Sequence, residues 1–235
     1  MANMYGYNDY NGPLTNVDKN SSGDDMPDDD DDDDDNPLRV GQWMEGDSLA
    51  PPCGTSIPTI HALLEFASVS ETDVLYDLGC GDGRVCLEAL VHGRAQYCVG
   101  VEVEQDLMER FQHLIGELSE SFIKDHNGAS KILAVHADLR DVLNHLVAQA
   151  ESNDGTADVD KRFMGLPMPT VLVLYLLPES VRELEPDLLK LINRVDNFRI
   201  ICNTWGFETV DPIKVLEVKE PDSAASTVFR MYSRN

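Results

Sequence analysis

The run from Val74 to Arg84 contains residue types that could hold a small ligand. It reads Val-Leu-Tyr-Asp-Leu-Gly-Cys-Gly-Asp-Gly-Arg, so an apolar strand leads into Asp77 and then into a glycine turn that opens a helix. Glycine lets the backbone approach a ligand closely, and the free amides at a helix start favour anionic groups. The turn therefore predicts a ligand site after the first strand.

The spacing of these glycines excludes two common nucleotide motifs. Gly79, Gly81 and Gly83 follow one another at two-residue intervals, so the G-x-G-x-x-G spacing of dinucleotide folds is not met. No G-x-x-x-x-G-K-[ST] sequence is present either, which excludes a P-loop. The ends of the neighbouring strands must therefore help to define the ligand.

Acidic residues follow the next two predicted strands. Glu102 lies about twenty residues beyond the glycines, where a carboxylate can accept hydrogen bonds from ribose hydroxyls. Asp138 could accept from an adenine amino group, and Leu139 could cover the ring. A solvated strand-end acid is the alternative, and for Glu102 alone it is the better one. Together with the glycine turn, three successive strand ends favour one ligand at the carboxyl edge of a parallel sheet.

The elements that must position these residues form a repeating pattern. From Val74 onward, apolar β-rich runs alternate with helical patterns, which is typical of βα units on a parallel sheet. The five predicted strands are Val74–Leu78, Tyr97–Val101, Ile132–Val135, Val171–Leu176 and Phe198–Asn203. The predicted helices are Ile57–Ser68, Gly83–Val91, Gln105–Ser121, Leu139–Ala150 and Pro178–Ile192. We therefore expect an α/β, Rossmann-like sheet.

Two further segments interrupt or end this pattern. The runs Lys214–Val218 and Thr227–Tyr232 flank the turn-rich Glu220–Ser223 and predict a carboxyl-terminal antiparallel hairpin. The polar, glycine-containing Glu151–Lys161 predicts an exposed insertion before the fourth strand. With the hairpin, the predicted sheet has seven strands.

The charge of the chain is uneven. The 235 residues carry a net charge of −25, of which residues 1–48 contribute −12 and the remaining residues −13. An unbroken Asp28–Asp35 run and a lack of apolar groups predict that residues 1–48 form a disordered acidic tail. A single domain is then expected over residues 49–235. The tail fits a solvating role, and a binding arm for a basic protein is the alternative.

Other residue patterns exclude several function classes. The longest strongly apolar run, Val171–Leu177, is too short to cross a bilayer, and the amino terminus has no targeting pattern. Five cysteines without a C-x-x-C pair favour reduced thiols in the cytoplasm, with the nucleus possible. The six histidines show no H-x-x-x-H or H-E-x-x-H spacing, so no metal is expected. Because the apolar runs are short, no membrane is expected either.

These motifs resemble the seven-strand, class I S-adenosylmethionine-dependent methyltransferases. The later run Leu-Tyr-Leu-Leu-Pro-Glu, residues 174–179, and the Pro58-Thr59 step are similar to a narrower group of protein lysine methyltransferases. That group includes the ATP-synthase c-subunit lysine methyltransferase and archaeal enzymes. The resemblance covers Ile57 to the carboxyl end. Residues 53–57, the tail and the Glu151–Lys161 insertion depart from the pattern, and the amino-terminal apolar anchor of the mitochondrial members is absent.

The resemblance implies S-adenosylmethionine as cofactor and a role for each matching residue. It places the methionine part of the cofactor against the first strand end, its carboxylate near Thr59, its ribose at Glu102 and its adenine at Asp138 and Leu139. It places Tyr175 opposite the transferred methyl group. The residues implied at the methionine part are Asp77, Gly79, Cys80 and Gly81.

The chemistry of methyl transfer then suggests a substrate. A lysine amine must lose its proton before it attacks, and burial in an aromatic-lined channel around Tyr175 lowers its pKa. Glu179 could orient the ammonium or accept its proton through water, and stabilising a helix start is an equally good role. Trp205 and Phe207, after the fifth predicted strand, could help to line this channel, and core packing is the expected individual role of each.

The expected substrate is a basic protein. The acidic folded part would attract it and repel nucleic acid, and the Asn/Asp-Pro-Pro-Tyr run of amino-methylating nucleic-acid enzymes is missing. We expect a protein-lysine N-methyltransferase. Two alternatives remain: a small-molecule methyltransferase, and a catalytically weak cofactor-binding module that docks a basic partner.

Overall fold

Five parallel strands form the centre of the fold. The structure, a computed structural model, describes residues 54–125, 131–152, 160–219 and 226–234; the predicted tail lies outside them. The strands are β1 (Val74–Leu78), β2 (Tyr97–Glu102), β3 (Lys131–His136), β4 (Val171–Leu174), β5 (Arg199–Asn203), β6 (Lys214–Lys219) and β7 (Ser226–Ser233). The helices are α1 (Ile57–Phe66), α2 (Arg84–Val91), α3 (Gln105–Asp125), α4 (Leu139–Glu151) and α5 (Pro178–Arg194).

The sheet confirms the predicted fold class. Its seven strands lie in the order β3-β2-β1-β4-β5-β7-β6, and β1 to β5 are parallel. β7 runs antiparallel between β5 and β6, which confirms the hairpin pairing. The order changes direction at β1, so the carboxyl ends of β1 and β4 flank the point where ligands bind in open α/β sheets.

Alternation along the strands divides the core between two faces. Tyr76 and Leu78 of β1 belong to a buried cluster with residues of α4 and α5. Leu75 and Asp77, one residue out of step, point to the opposite face because successive side chains in a strand alternate. Asp77 is the only charged residue of β1, and its side chain is buried on that face.

Several boundaries differ from the predictions. β4 ends at Leu174 rather than Leu176, because Pro178 opens α5 and the preceding residues leave the sheet. The first helix ends at Phe66, two residues early. Of the predicted insertion, Glu151 is still helical and Lys161 starts a single 3-10 turn, whereas residues 153–159 lie outside the described residues, as do residues 220–223.

A buried ion pair ties three strands together at the amino-terminal edge of the sheet. The Arg199 guanidinium donates to both carboxylate oxygens of Asp73, at 3.0 and 2.9 Å. The Thr170 hydroxyl donates to the same carboxylate at 2.7 Å. Burial raises the pKa of Asp73, but the hydrogen bonds from Arg199 and Thr170 outweigh it and hold the pKa below its ordinary value.

Replacing Asp73 by Ala is expected to lower the free energy of unfolding by about 3 kcal/mol, because it leaves the Arg199 guanidinium without its partner. Because the pKa of Asp73 is depressed, its ionised carboxylate stabilises the folded state above about pH 4, and this stabilisation is lost as the pH falls further. Urea denaturation at pH 7 and pH 3 measures both effects. The matched control is Glu71→Ala, whose pair with Arg94 is exposed. Equal losses for the two variants would contradict the prediction.

Candidate functional site

The glycine turn after β1 is fixed by its neighbour strand. The amides of Gly79 and Cys80 both donate to the carbonyl oxygen of Val101 at 2.9 Å. Gly79, Gly81 and Gly83 have φ angles of 90°, 56° and 77°, a region that favours glycine. Gly79 is exposed, and a Cβ added to Gly81 would meet no atom within 4 Å. The turn therefore leaves open space beside its backbone.

Two glycines make room for a ring from α3. A Cβ at Gly83 would lie 1.9 Å from Cδ2 of Phe111, and a Cβ at Gly100 would lie 2.5 Å from its Cε1. Phe111 itself is fully buried. The third glycine of the turn is thus needed for packing as well as for its backbone angle, a role that its spacing alone did not predict.

Asp77 is a buried carboxyl under this turn, with 4% of its surface exposed. Burial, and then the charges of Glu102 and Asp82, raise the pKa of Asp77 to about 7. No cation among the described residues contributes to this shift. The site thus has an excess of negative charge, which a positively charged ligand would relieve.

Glu102 connects the end of β2 to the glycine turn. Its Oε2 accepts from the Gly81 amide at 2.9 Å, and its Oε1 accepts from the amides of Val103 and Glu104 at 2.7 and 2.9 Å. A carboxylate can accept about four hydrogen bonds, so Oε2 can still accept one more. The carboxylate therefore holds the turn and retains acceptor capacity.

The end of β3 reaches the same region. Asp138 caps α4, and its carboxylate accepts from the Arg140 amide at 2.8 Å and from the Arg140 side chain. The Arg140 hydrogen bonds hold the pKa of Asp138 below its ordinary value. A Cβ at Gly79 would lie 3.6 Å from Leu176 and 3.9 Å from Leu139, so the ends of β3 and β4 meet at the turn.

Asp82 and Arg84 also belong to this region, although the sequence did not single them out. Arg84 donates to both oxygens of Asp82, at 2.9 and 2.8 Å, and also to the carbonyl oxygen of Thr55 at 3.2 Å. Burial raises the pKa of Asp82, but the Arg84 hydrogen bonds and charge outweigh it and lower the pKa. The pair therefore joins the glycine turn to the segment before α1. The sequence signal that could have predicted this ion pair is an acid followed two residues later by Arg.

The remaining predicted residues lie in different settings. Thr59 is fully buried in the first turn of α1, where its hydroxyl accepts from Ser56 at 2.8 Å. Tyr175 is half-buried, one residue beyond β4, and Glu179 is exposed in the first turn of α5. Burial, followed by nearby carboxylates, raises the pKa of the Cys80 thiol well above its ordinary value, so it stays protonated. The structure brings all the strand-end residues to one edge but gives Glu179 no contact with them.

Two aromatic residues after β5 differ from one another. Phe207 packs on Tyr232 with ring centroids 4.1 Å apart, as expected of a core residue. Trp205 is exposed, so the expectation of core packing was wrong for it. In the described part of the chain, no helix is long and apolar enough to cross a membrane. No group of three or more potential ligands in that part is arranged to hold a metal ion.

Known structures share this architecture. An RNA methyltransferase from Salinibacter ruber, solved in complex with S-adenosyl-L-homocysteine, has a TM-score of 0.50 and 26% identity, over 76% of this chain and 92% of that one. An rRNA methyltransferase from Streptomyces viridochromogenes has a TM-score of 0.48 and 14% identity, over 78% of this chain and 88% of that one. The sheet order and the first likeness give the chain the class I, Rossmann-like methyltransferase fold.

Sequence comparison adds a shorter match. A protein-lysine N-methyltransferase of Saccharolobus islandicus is 39% identical over 56 residues, which are 24% of this chain. The match spans 35% of the length of that relative, about a third. No family model matches the chain.

Proposed function

We propose that the protein is an S-adenosylmethionine-dependent methyltransferase that modifies lysine in a basic protein. The observation that carries the proposal is the carboxyl edge of β1. There, an open glycine backbone lies beside a buried carboxyl, and no cation in the described part of the chain offsets its charge. The fold and the complex of the Salinibacter relative support the cofactor assignment.

The residues at this edge fit the cofactor. S-adenosylmethionine carries a positive ammonium and a positive sulfonium, which suit the excess negative charge around Asp77. The exposed Gly79 and the open space at Gly81 leave room for its methionine part. Glu102 keeps one acceptor position for a ribose hydroxyl. Leu139 and Leu176 offer apolar cover beside the turn.

Two of the proposed contacts require a change of partner. Thr59 is buried against Ser56, and Asp138 is occupied by Arg140. We propose that Asp138 keeps its oxygens partly available, since 34% of its side chain is exposed. Thr59 would reach the cofactor carboxylate only after its side chain rotates away from Ser56. Cys80 contributes its backbone amide rather than its thiol.

We propose that a neutral amine approaches the cofactor beside Tyr175 without a strong base. The cofactor, when bound, supplies a methyl group on a sulfonium, which a neutral nucleophile can accept. Tyr175 lies between the buried Leu174 and Leu176, so an amine entering beside its ring leaves water and its pKa falls. Glu179, exposed in the first turn of α5, would attract the ammonium form before it reaches Tyr175.

Lysine is favoured over other acceptors by two observations. The 56-residue match is to a protein-lysine enzyme, and the net charge of −13 outside residues 1–48 attracts basic proteins. RNA is a second candidate, because the relative with a TM-score of 0.50 is an RNA methyltransferase. The acidic surface opposes it, since RNA binding depends on phosphate neutralisation.

A transfer assay separates these substrates. The full chain is incubated with methyl-labelled S-adenosylmethionine and separate protein, RNA and small-molecule fractions of a lysate, and mass spectrometry locates the label. We expect label on lysine in the protein fraction, with Tyr175→Ala as the inactive control that still binds cofactor. Label confined to RNA or small molecules would contradict the lysine proposal, and no label in any fraction would contradict methyl transfer.

A further inference from the structure

Trp205 is an exposed aromatic residue at the proposed substrate edge. It keeps 47% of its surface exposed, although tryptophan is usually well covered. In the sheet, Leu174 of β4 lies opposite Cys202 of β5. Tyr175 comes one residue after Leu174, and Trp205 comes three residues after Cys202. The chain therefore leaves the sheet at the same carboxyl edge before both aromatic residues.

The backbone before Trp205 is held in an uncommon conformation. Thr204 has a φ angle of 66°, which is unfavourable for a β-branched residue. Its amide donates to the carbonyl oxygen of Val228 at 2.8 Å, and its own carbonyl oxygen accepts from Arg230. Strained conformations of this kind persist only where surrounding contacts fix them, and they concentrate at functional sites.

The backbone after Trp205 is fixed as well. A Cβ at Gly206 would lie 2.2 Å from the Tyr232 hydroxyl, and the Phe207 amide donates to that hydroxyl at 3.0 Å. The next two amides, of residues 208 and 209, both donate to the buried Glu185 carboxylate at 2.9 Å. The indole is therefore presented on a rigid loop, so a ligand that contacts it orders little further chain.

The surface near Trp205 is acidic. Glu179, Glu208 and Asp211 are all exposed. The Arg182 guanidinium lies 2.6 Å from the Glu208 carboxylate. Glu208, and to a smaller extent the charge of Glu179, raise the pKa of Arg182. Arg230, whose guanidinium donates to the Thr204 carbonyl oxygen, is a second cation beside this loop, so the three carboxylates exceed the two guanidinium groups by one charge. An aromatic face with this surplus is suited to a cation, since the ring attracts it and the carboxylates concentrate it.

We infer that Trp205 determines substrate specificity by contacting a lysine or arginine side chain of the substrate protein through its indole face. This inference rests on the proposed lysine methyltransferase function and adds the residue that recognises the basic chain. Its contact is with substrate alone, so it leaves cofactor binding unchanged. The loop from Thr204 to Thr209 positions the ring.

The test compares Trp205→Ala and Trp205→Phe with the unaltered protein. The acceptor is the lysate protein fraction of the transfer assay, and poly-L-lysine is the competitor. Val215→Ala is the control, because Val215 is also an exposed apolar residue but lies on β6. For Trp205→Ala we expect an apparent KM about tenfold higher and inhibition by poly-L-lysine about tenfold weaker, with kcat and cofactor affinity within about twofold.

The outcomes distinguish this inference from the proposed function. Trp205→Phe should recover most of the affinity, because it keeps an aromatic face. An unchanged KM in Trp205→Ala, or a loss confined to cofactor affinity, would overturn the inference and leave the function intact. Label on RNA that Trp205→Ala abolishes would overturn it in favour of base stacking. If the unaltered protein labels no lysine, the proposed function fails and the inference fails with it.

Discussion

Asp77→Asn is expected to weaken S-adenosylmethionine binding at least about a hundredfold and to stabilise the free protein at pH 8. The first effect follows because the substitution removes the buried negative charge that the positive cofactor would compensate. The second follows because the free protein no longer has to ionise a carboxyl in an apolar setting. Calorimetric titration measures the affinity, and urea denaturation measures the stability.

The stability effect should depend on pH in a defined direction. The pKa of Asp77 is raised from 3.8 to about 7. A raised pKa means that the folded state binds the proton more tightly than the unfolded state, so stability is greatest near pH 4 and falls as the pH rises through 7. The two proteins should therefore unfold alike near pH 4, and the variant should be more stable by about 4 kcal/mol at pH 8.

Cofactor affinity should change with pH in the opposite direction. Because the ionised form of Asp77 attracts the cofactor, binding to the unaltered protein should tighten between pH 6 and pH 8 and release a proton. The control is Glu71→Gln, which replaces an exposed carboxylate just before the amino-terminal end of β1. This variant should bind the cofactor like the unaltered protein. Affinity of Asp77→Asn within threefold of the unaltered protein would remove Asp77 from the cofactor site.

Gly83→Ala is expected to lower the free energy of unfolding by about 2–4 kcal/mol. The new Cβ would lie 1.9 Å from Cδ2 of Phe111, and the φ angle of 77° is unfavourable for alanine. The ring is fully buried, so it cannot move aside into solvent. Chemical denaturation should show the loss directly.

Gly116→Ala is the matched control for Gly83. Gly116 is exposed in α3, and a Cβ there meets no atom within 4 Å. Alanine is the better helix former, so this variant should gain about 1 kcal/mol. If the two substitutions shifted the denaturation midpoint in the same direction, the packing account of Gly83 and Phe111 would be wrong.

Much of the fold could be predicted because its signals are local. β1 and the starts of α3, α4 and α5 were predicted to the residue, since an apolar run, an acid or a proline marks each one. The same alternation predicted the parallel sheet and the hairpin. The order of the strands was not predicted, because no local pattern says which strands pair.

The site was less predictable because its geometry depends on distant residues. The sequence could not show that Phe111 fills the space beside Gly83 and Gly100, or that Glu102 already accepts three amides. It predicted the wrong setting for Trp205, since hydrophobicity alone favours burial. The Thr204 carbonyl oxygen, next to Trp205, accepts from Arg230 on β7, far along the chain.

The position of β7 has a consequence for how the protein is made. β6 is joined to the sheet only through β7, yet it leaves the ribosome first. Arg230 and Tyr232, which fix the loop around Trp205, also lie on β7. The nascent chain can therefore assemble the parallel strands and the cofactor edge before it can order the proposed recognition loop.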